Sequence, residues 1–357
     1  MTIIFTLMGG LSPARAQDDT TILRQIDVFV AESPDTTTST IYFLDALSGL
    51  NTVINVENGE LFTLVGDYVL YAKTHTGAIM SANRDGILSP HPFIRPEVDT
   101  EAIWWVTSPN HAAIAWVRVN TAGQSEAYVA WADGRDLRQL PISSPEAPLM
   151  LFPVALNTSR TLFFYDAAHS TTITPYPAFA HIITYDIANE MFSTPPSEPN
   201  CLCGAAVSPD GRIFARLEST QIAAEQEANG PFALRVWDLP TNASFFIPAP
   251  DLDYGFAGDL LLNTFGTFAV YSVATGVGIE ADSVQTEYAL VLVDVVAQQQ
   301  RLLVDAGPVR YCPVTFLDDN NALMLTDGTS TYKLDLASGD LTRVSDLRYL
   351  GTITLTG

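Results

Sequence analysis

The sequence predicts an all-β fold built from repeated sheets, and three observations support this prediction. Short apolar runs rich in β-formers are separated by turn residues, as at 41–44, 103–106, 162–165 and 290–293. These runs are continuously apolar rather than alternating, which is typical of strands covered on both faces. No segment keeps a helical period over three turns, and the best candidate, 221–228, covers about two turns.

A turn between two strands recurs along the whole chain. The seven copies end at residues 49, 86, 134, 190, 242, 298 and 339, so neighbouring copies are 37–56 residues apart. A second hairpin turn alternates with the first and occurs at 66–67, 108–111, 157–160, 208–211, 265–266 and 318–321. Two hairpins per repeat of roughly 40–50 residues give four strands, which is the size of a propeller blade.

The chain ends supply the strand that this count lacks. The first repeat begins late, near residue 26, and one strand, 350–355, remains after the last repeat. If that strand is the innermost strand of the first blade, seven blades are complete and no sheet edge is left open. We therefore predict a seven-bladed β-propeller of four-stranded antiparallel blades in one domain, 21–357, closed by a C-terminal strand that completes the first blade.

One carboxylate position recurs with the repeat, which indicates a structural role. Aspartates at this position are expected to cap the turn between the outer two strands, because Asp side chains bond nearby backbone N–H groups. They are Asp45, Asp186, Asp238, Asp294 and Asp335. The repetition itself argues against catalysis by these residues.

Composition excludes several classes of function. The chain carries 17 Lys and Arg against 40 Asp and Glu, a formal net charge of −23. This charge argues against binding to nucleic acid or to an anionic membrane surface, both of which need a basic footprint. The hydrophobic content of 47% excludes a disordered chain.

The N-terminal segment has features of a secretory signal. Residues 2–9 are mostly apolar, and small residues follow at Ala14 and Ala16, as at the −3 and −1 positions of a cleavage site. We expect a signal peptide over 1–16, although no Lys or Arg precedes the apolar stretch. The mature chain is then secreted or periplasmic, without membrane insertion after cleavage.

Several segments carry a family resemblance. Residues 206–215 read Ala-Val-Ser-Pro-Asp-Gly-Arg-Ile-Phe-Ala, and 116–140 and 335–342 have the pattern of outer blade halves. These segments resemble WD-repeat-like, TolB-type propellers over most of the chain from about residue 21, most specifically around 102–141 and 203–248. The resemblance implies the propeller fold. Members of this group are often non-enzymatic parts of envelope complexes or gating domains of peptidases, so the role stays open.

No motif assigns a catalytic residue. The sequence contains no Gly-x-Ser-x-Gly, no His-Glu-x-x-His and no glycine-rich phosphate loop. Asp318, Asp319 and Asn320 are weak candidate Ca²⁺ ligands, because hard cations take several oxygens from one loop, but a tight turn explains them as well. Apart from possible Ca²⁺, we expect no cofactor. Buried thiols are expected for Cys201, Cys203 and Cys312, with a disulfide from one of the first two to Cys312 as the alternative.

Loop length breaks the symmetry of the repeat. The connection between the second and third strands is long in blades 4, 5 and 6, at about 167–180, 219–231 and 274–286, and brief in blade 7. These connections emerge on one face, where binding residues concentrate on a rigid scaffold. The candidate binding residues, expected to be exposed aromatics beside carboxylates, are His169, Tyr176, Phe179, Glu225, Glu227, Glu280 and Asp282.

Three functional hypotheses follow from this reading. The leading one is a secreted, monomeric, non-enzymatic propeller that binds a protein or peptide partner through the loops of blades 4–6. The first alternative is a lactonase-like hydrolase or a lyase with a carboxylate or Ca²⁺ site at the channel mouth, which predicts three or more Asp, Asn, Glu or His side chains converging there. The second is a carbohydrate-binding propeller, which predicts a flat row of exposed aromatics.

Overall fold

The computed structural model describes residues 24–32, 37–45, 47–141, 151–158, 161–166, 176, 182–194, 204–219, 232–252, 254–275, 286–317 and 320–355. The predicted signal peptide lies outside these residues. No helix in this part of the chain is long and apolar enough to cross a membrane.

The described residues form seven four-stranded antiparallel sheets, each one blade. The strands of blades 1 to 3 are β1 (Arg24–Ala31), β2 (Thr38–Asp45), β3 (Asn51–Glu57), β4 (Gly59–Val65), β5 (Tyr68–Lys73), β6 (Ile79–Asn83), β7 (Leu88–Pro90), β8 (Thr100–Thr107), β9 (Ala113–Asn120), β10 (Ser125–Trp131) and β11 (Arg138–Gln139). Those of blades 4 and 5 are β12 (Leu151–Leu156), β13 (Thr161–Asp166), β14 (Ile182–Asp186), β15 (Met191–Ser193), β16 (Ala205–Val207), β17 (Ile213–Ser219), β18 (Phe232–Asp238) and β19 (Ala243–Ile247). Those of blades 6 and 7, with the closing strand, are β20 (Phe256–Leu262), β21 (Phe268–Thr275), β22 (Glu287–Asp294), β23 (Gln299–Gly307), β24 (Cys312–Leu317), β25 (Ala322–Thr326), β26 (Thr331–Asp335), β27 (Leu341–Ser345) and β28 (Arg348–Leu355).

The predicted closure of the ring is confirmed. Blade 1 has the strand order β28-β1-β2-β3, so the C-terminal strand completes the first sheet. Ile353 pairs with Ile26, and the Thr352 hydroxyl donates a hydrogen bond to Asp27 Oδ1. The innermost strands of neighbouring blades contact one another from β28 to β4, β8 and β12, and from β16 to β20 and β24. The first strand of each blade, with β28 in blade 1, therefore surrounds the central channel.

Burial explains why the strands are apolar without alternating. The middle strands lie between two neighbouring blades, and six consecutive residues of β21 are buried. Outer strands have one wet face, as in β3, whose exposed and buried residues alternate. Six apolar clusters in the described residues fill the spaces between successive blades from blade 1 to blade 7. Each buried Leu, Val or Phe in these layers stabilises the fold by about 1.5–3 kcal/mol.

Four of the five recurring aspartates cap turns, as the repeat predicted. Asp45, Asp186, Asp294 and Asp335 each accept a hydrogen bond from a backbone N–H two or three residues later. Asp238 differs, because its carboxylate accepts from Arg212 Nη2 at 2.9 Å. The Ser48 hydroxyl is the main cause that lowers the pKa of Asp45 to about 2, with backbone N–H groups and Arg24 adding to it.

The Ser-Pro-Asp-Gly hairpin has a degraded counterpart with the same geometry. Ser208 Oγ donates to Asp210 Oδ1 at 2.6 Å and accepts from Ile213 N–H at 2.9 Å. In blade 3, Ser108 Oγ makes the equivalent bonds to Asn110 and from Ala113. A hairpin of this kind tolerates sequence change where the Ser hydroxyl and the Asx side chain remain.

Candidate functional site

The second-to-third strand connections share one face of the ring, here called the upper face. Successive strands of a blade are antiparallel, so these connections and the links between blades emerge together, while the other hairpins lie on the opposite, lower face. The connections of blades 4, 5 and 6 are 167–181, 220–231 and 276–286, whereas those of blades 3 and 7 are 121–124 and 327–330. The strand bounds thus confirm that the long connections come from blades 4 to 6.

Most of the predicted binding residues fall outside the described part of the chain. These are His169, Phe179, Glu225, Glu227, Glu280 and Asp282. Their part in binding stays a prediction. Tyr176 is described, and its surroundings are different from those expected of an exposed loop aromatic.

Tyr176 belongs to the connection of blade 4 but is packed into blade 6. Its side chain is buried, its hydroxyl lies 2.8 Å from Ser272 Oγ, and its ring lies under the Arg310 guanidinium, 4.8 Å from ring centre to Cζ. A Cβ placed on Gly258 would lie 2.4 Å from the Cβ and Cγ atoms of Tyr176, so only glycine fits at that position. Burial is the main cause that raises the pKa of the Tyr176 hydroxyl. The side chain is therefore neutral and acts in packing.

Next to Tyr176, Asp259 on the innermost strand of blade 6 forms an ion pair with Arg310 in the link to blade 7. Arg310 donates to both carboxylate oxygens of Asp259, from Nε at 2.8 Å and from Nη2 at 2.6 Å. Asp259 has φ +51° at a bulge of β20, which turns its carboxylate toward the link between blades 6 and 7. Cys312 is a free, partly buried thiol 3.7 Å from Asp259 Oδ2, and burial is the main cause that raises its pKa to about 11. The thiol is therefore protonated at neutral pH and unreactive.

A pocket of about 430 Å³ opens on the other side of the channel. Its wall comes from the innermost strands of blades 1, 2 and 3 and from the end of β1. The lining residues are Glu32, Leu61, Phe62, Thr63, Trp104, Trp105 and Arg348. Glu32 follows β1 and Arg348 begins β28, so both stand at the upper-face ends of their strands. The pocket therefore extends to the face that carries the long connections.

The wall of this pocket is aromatic and aliphatic. Trp105 Nε1–H donates to Thr63 Oγ1 at 3.0 Å, and the Thr63 hydroxyl donates to the Leu61 carbonyl at 3.2 Å. The polar groups of Trp105 and Thr63 are therefore satisfied within the wall. Trp104 packs against Phe152 of blade 4, with ring centres 4.2 Å apart. Leu61 has φ +57° at a bulge of β4 and is 54% exposed, although it is a large apolar residue.

The charged side chains among the described lining residues form one ion pair. Arg348 Nε donates to Glu32 Oε2 at 3.0 Å, and the two side chains are 24% and 36% exposed. Within the described residues this is the one partner of each side chain in the structure. Sequence reasoning identified 103–106 as strand and missed this site. The signal that points to it is a pair of adjacent tryptophans on an innermost strand.

The described residues do not assemble a metal site. No group of three or more His, Cys, Asp or Glu side chains in this part of the chain is close enough to hold a metal ion. Of the weak Ca²⁺ candidates, Asp318 and Asp319 lie outside the described residues. Asn320 has φ +72° in the turn between β24 and β25, and its Oδ1 accepts from Asn263 Nδ2 at 3.0 Å. The Asn320 side chain therefore links the lower-face turns of blades 6 and 7.

Solved structures similar to this chain share its fold. A prolyl endopeptidase matches with a TM-score of 0.61 and 11% identity over 90% of this chain and 50% of its own. An oligogalacturonate lyase from Vibrio parahaemolyticus matches with a TM-score of 0.55 and 8% identity over 90% and 86%. TolB from Acinetobacter baumannii matches with a TM-score of 0.42 and 13% identity, and this chain spans 62% of its length. The first two matches show the propeller fold alone, since fold does not imply function at such low identity.

The sequence comparisons add no family assignment. No family model matches the chain, and no curated protein matches it. The similarity to known proteins therefore holds at the level of the propeller fold. Function has to be argued from the site itself.

Proposed function

We propose that this chain is an extracytoplasmic, non-enzymatic propeller that binds a protein or peptide partner on its upper face. The observation that carries the proposal is the pocket beside Trp104 and Trp105, which extends to the face that bears the long connections of blades 4 to 6. A concave, largely apolar pocket with few polar groups is the usual form of a ligand site. Export is supported by the N-terminal apolar stretch and its Ala-x-Ala ending.

The composition of the pocket favours binding over hydrolysis or lyase chemistry. Among its described lining residues the one carboxylate, Glu32, is paired with Arg348, and the others are apolar, aromatic or a hydrogen-bonded threonine. The described part of the wall therefore supplies no second carboxylate for general acid–base chemistry by a carboxylate pair. A carbohydrate platform is also less well supported, because Trp104 and Trp105 point to opposite faces of one strand and are half-buried. They do not form a flat exposed row.

The test is selection of peptides on the immobilised mature chain, followed by affinity measurements on purified hits. The Leu61→Glu variant places a charge at the pocket without disturbing a buried position. This variant should bind the selected peptides with an affinity at least tenfold lower than that of the wild type. Leu47→Glu is the matched control, since Leu47 is 65% exposed in a lower-face turn. It should leave the affinity unchanged.

Shortening the connections of blades 4 to 6 to four residues is the second arm of the test. Loss of peptide binding with an unchanged melting temperature supports the upper face as the binding surface. Peptides that bind wild type, Leu61→Glu and the shortened variants equally well contradict the proposal. So does a selection that yields no binder.

A further inference from the structure

The pocket beside Trp104 holds an arginine whose donor groups are only partly used. Arg348 donates to Glu32 through Nε, and the described residues give its two terminal nitrogens no partner. A guanidinium has five N–H donors in a planar fork that matches a carboxylate. With respect to the described residues, four N–H groups of Arg348 are thus open to an anionic group that enters the pocket. Glu32 keeps Oε1 as an acceptor for an N–H group of the same ligand.

The rest of the pocket wall is apolar, so it favours a ligand with an apolar group next to its anionic group. Trp105 and Thr63 satisfy each other, so they offer no free donor to a ligand rich in hydroxyls. Leu61 and Phe62 supply aliphatic and aromatic surface beside them. A volume of about 430 Å³ lies within the usual range of small-ligand pockets. It suits one or two residues at the end of a chain rather than a folded surface.

Because the whole chain is strongly acidic, attraction of an anionic ligand to this pocket depends on Arg348. With a formal net charge of −23, the protein as a whole repels carboxylates. An acidic ligand therefore depends on Arg348 for its attraction. Charge complementarity at the Arg348–Glu32 pair, together with the apolar wall, identifies the class of ligand.

We infer that the pocket binds the C-terminal residue of a peptide, an α-carboxylate beside an apolar side chain. This inference rests on the proposed function and specifies its partner. The carboxylate accepts hydrogen bonds from the terminal nitrogens of Arg348, and the N–H of the same residue donates to Glu32. The apolar side chain lies against Leu61, Phe62 and the tryptophans. A free apolar amino acid presents the same carboxylate and side chain, with an ammonium group in place of the amide.

Three small probes distinguish a peptide end from a free amino acid by the charged or uncharged groups that they carry. N-acetylphenylalanine carries the carboxylate and the amide of a chain end, N-acetylphenylalaninamide lacks the charge, and phenylalanine carries the ammonium. Binding is followed through the tryptophan indole N–H signals in NMR titrations, with the Trp105 signal assigned from a Trp105→Phe variant. We expect the acid to bind at least tenfold more tightly than the amide, and no more weakly than phenylalanine.

Substitutions at the ion pair test the assigned contacts. Arg348→Gln should remove the difference between acid and amide, and Arg348→Lys should keep part of it, because the charge remains while the fork is lost. Arg135→Gln is the control, since Arg135 is 78% exposed in a lower-face turn. It should leave the tenfold ratio intact. If Arg348→Gln does not fold, the wild-type comparison of acid with amide decides.

Each outcome separates this inference from the proposed function. Equal binding of acid and amide overturns the inference, while the peptides selected on the upper face can still support the function. Phenylalanine binding more tightly than the acetylated acid overturns the assignment to a peptide end. If the selected peptides bind in a Leu61-dependent manner and no probe binds, the inference fails and the function stands. If neither selected peptides nor probes bind, both fail.

Discussion

The Tyr176 hydroxyl lies 2.8 Å from Ser272 Oγ, although the two residues belong to blades 4 and 6. Tyr176 therefore reaches past blade 5 and rests on the innermost strand β20 at Gly258. The contact ties a residue of the longest connection on the upper face to the wall of the channel. It makes Tyr176 part of the packing of blade 6.

Gly258→Ala should expel Tyr176 and destabilise the fold. The new Cβ would lie 2.4 Å from Tyr176 Cβ and Cγ, a distance that heavy atoms do not tolerate. Overpacking of this kind costs about 1–3 kcal/mol in the free energy of unfolding, measurable by urea denaturation. Gly255→Ala is the matched control because no atom lies within 4 Å of its Cβ position. The double variant Gly258→Ala, Tyr176→Gly, which removes both the Cβ and the Cγ that the new methyl group would meet, should be less destabilised than the sum of the two single changes. Simple additivity would contradict the packing described here.

Asp259→Asn should destabilise the chain by about 1–3 kcal/mol, since it removes a charged partner from Arg310. Asparagine accepts the φ of +51° at this position, so the change leaves the bulge of β20 unstrained. Chemical denaturation of Asp259→Asn, Arg310→Gln and the double variant measures the coupling between the two side chains. A coupling near zero would show that the bidentate pair does not stabilise this end of the channel. The Asp133→Asn variant, at an exposed ion pair in a lower-face turn, is the control and should change stability by less than about 0.5 kcal/mol.

Ile353→Ala should weaken the closure of the ring. Ile353 is 4% exposed, pairs with Ile26 and belongs to the apolar cluster between blades 1 and 2. Truncation of a buried Ile costs about 2–5 kcal/mol. Thr354→Ala, one residue further on the same strand, changes an exposed side chain and should stay within about 0.5 kcal/mol. Equal denaturation midpoints for the two variants would mean that β28 does not contribute to the stability of the ring.

The architecture could be predicted because the strand and turn signals of one blade recur seven times in the sequence. The capping aspartates recur at one position, and a spare strand after residue 349 has a single useful place in a closed ring. Local chemistry was therefore sufficient for blade count, strand number and closure. It was also sufficient for the lengths of the upper-face connections, which follow from where the strand signals stop.

The site could not be predicted in the same way. Its residues come from β28, β4 and β8, which are brought together only when the ring closes. Leu61 faces the pocket because of a bulge, and a bulge reverses the side-chain alternation on which sequence reasoning depends. Tyr176 was expected to be exposed, yet its cradle at Gly258 lies two blades along the ring. Contacts of this kind leave no local pattern in the sequence.

The stability of the protein should fall between pH 6.5 and 4 because of His91. This side chain is 1% exposed: its Nδ1 accepts from Ile94 N–H at 3.0 Å, and its Nε2 lies 2.9 Å from the Tyr68 hydroxyl. That hydroxyl already donates to the Ala132 carbonyl, so Nε2 carries the single proton of a neutral imidazole. A second proton, on Nδ1, would bring two hydrogen-bond donors, Nδ1–H and Ile94 N–H, face to face. Burial, with a smaller effect of Arg95, lowers the pKa of His91 to about 4.

The sign of the effect follows from linkage. The unfolded chain binds this proton at a pKa of 6.5, so the stabilisation from neutral His91 is complete above that pH and is lost as the pH falls toward 4. One extra proton taken up on unfolding gives a slope of up to about 1.4 kcal/mol per pH unit. Urea denaturation at pH 6.5, 5.5 and 5 should show this slope in the wild type. The slope should be smaller in His91→Gln by the amount that corresponds to nearly one proton, because the glutamine amide does not titrate. Identical slopes for the two proteins would place the titrating group elsewhere.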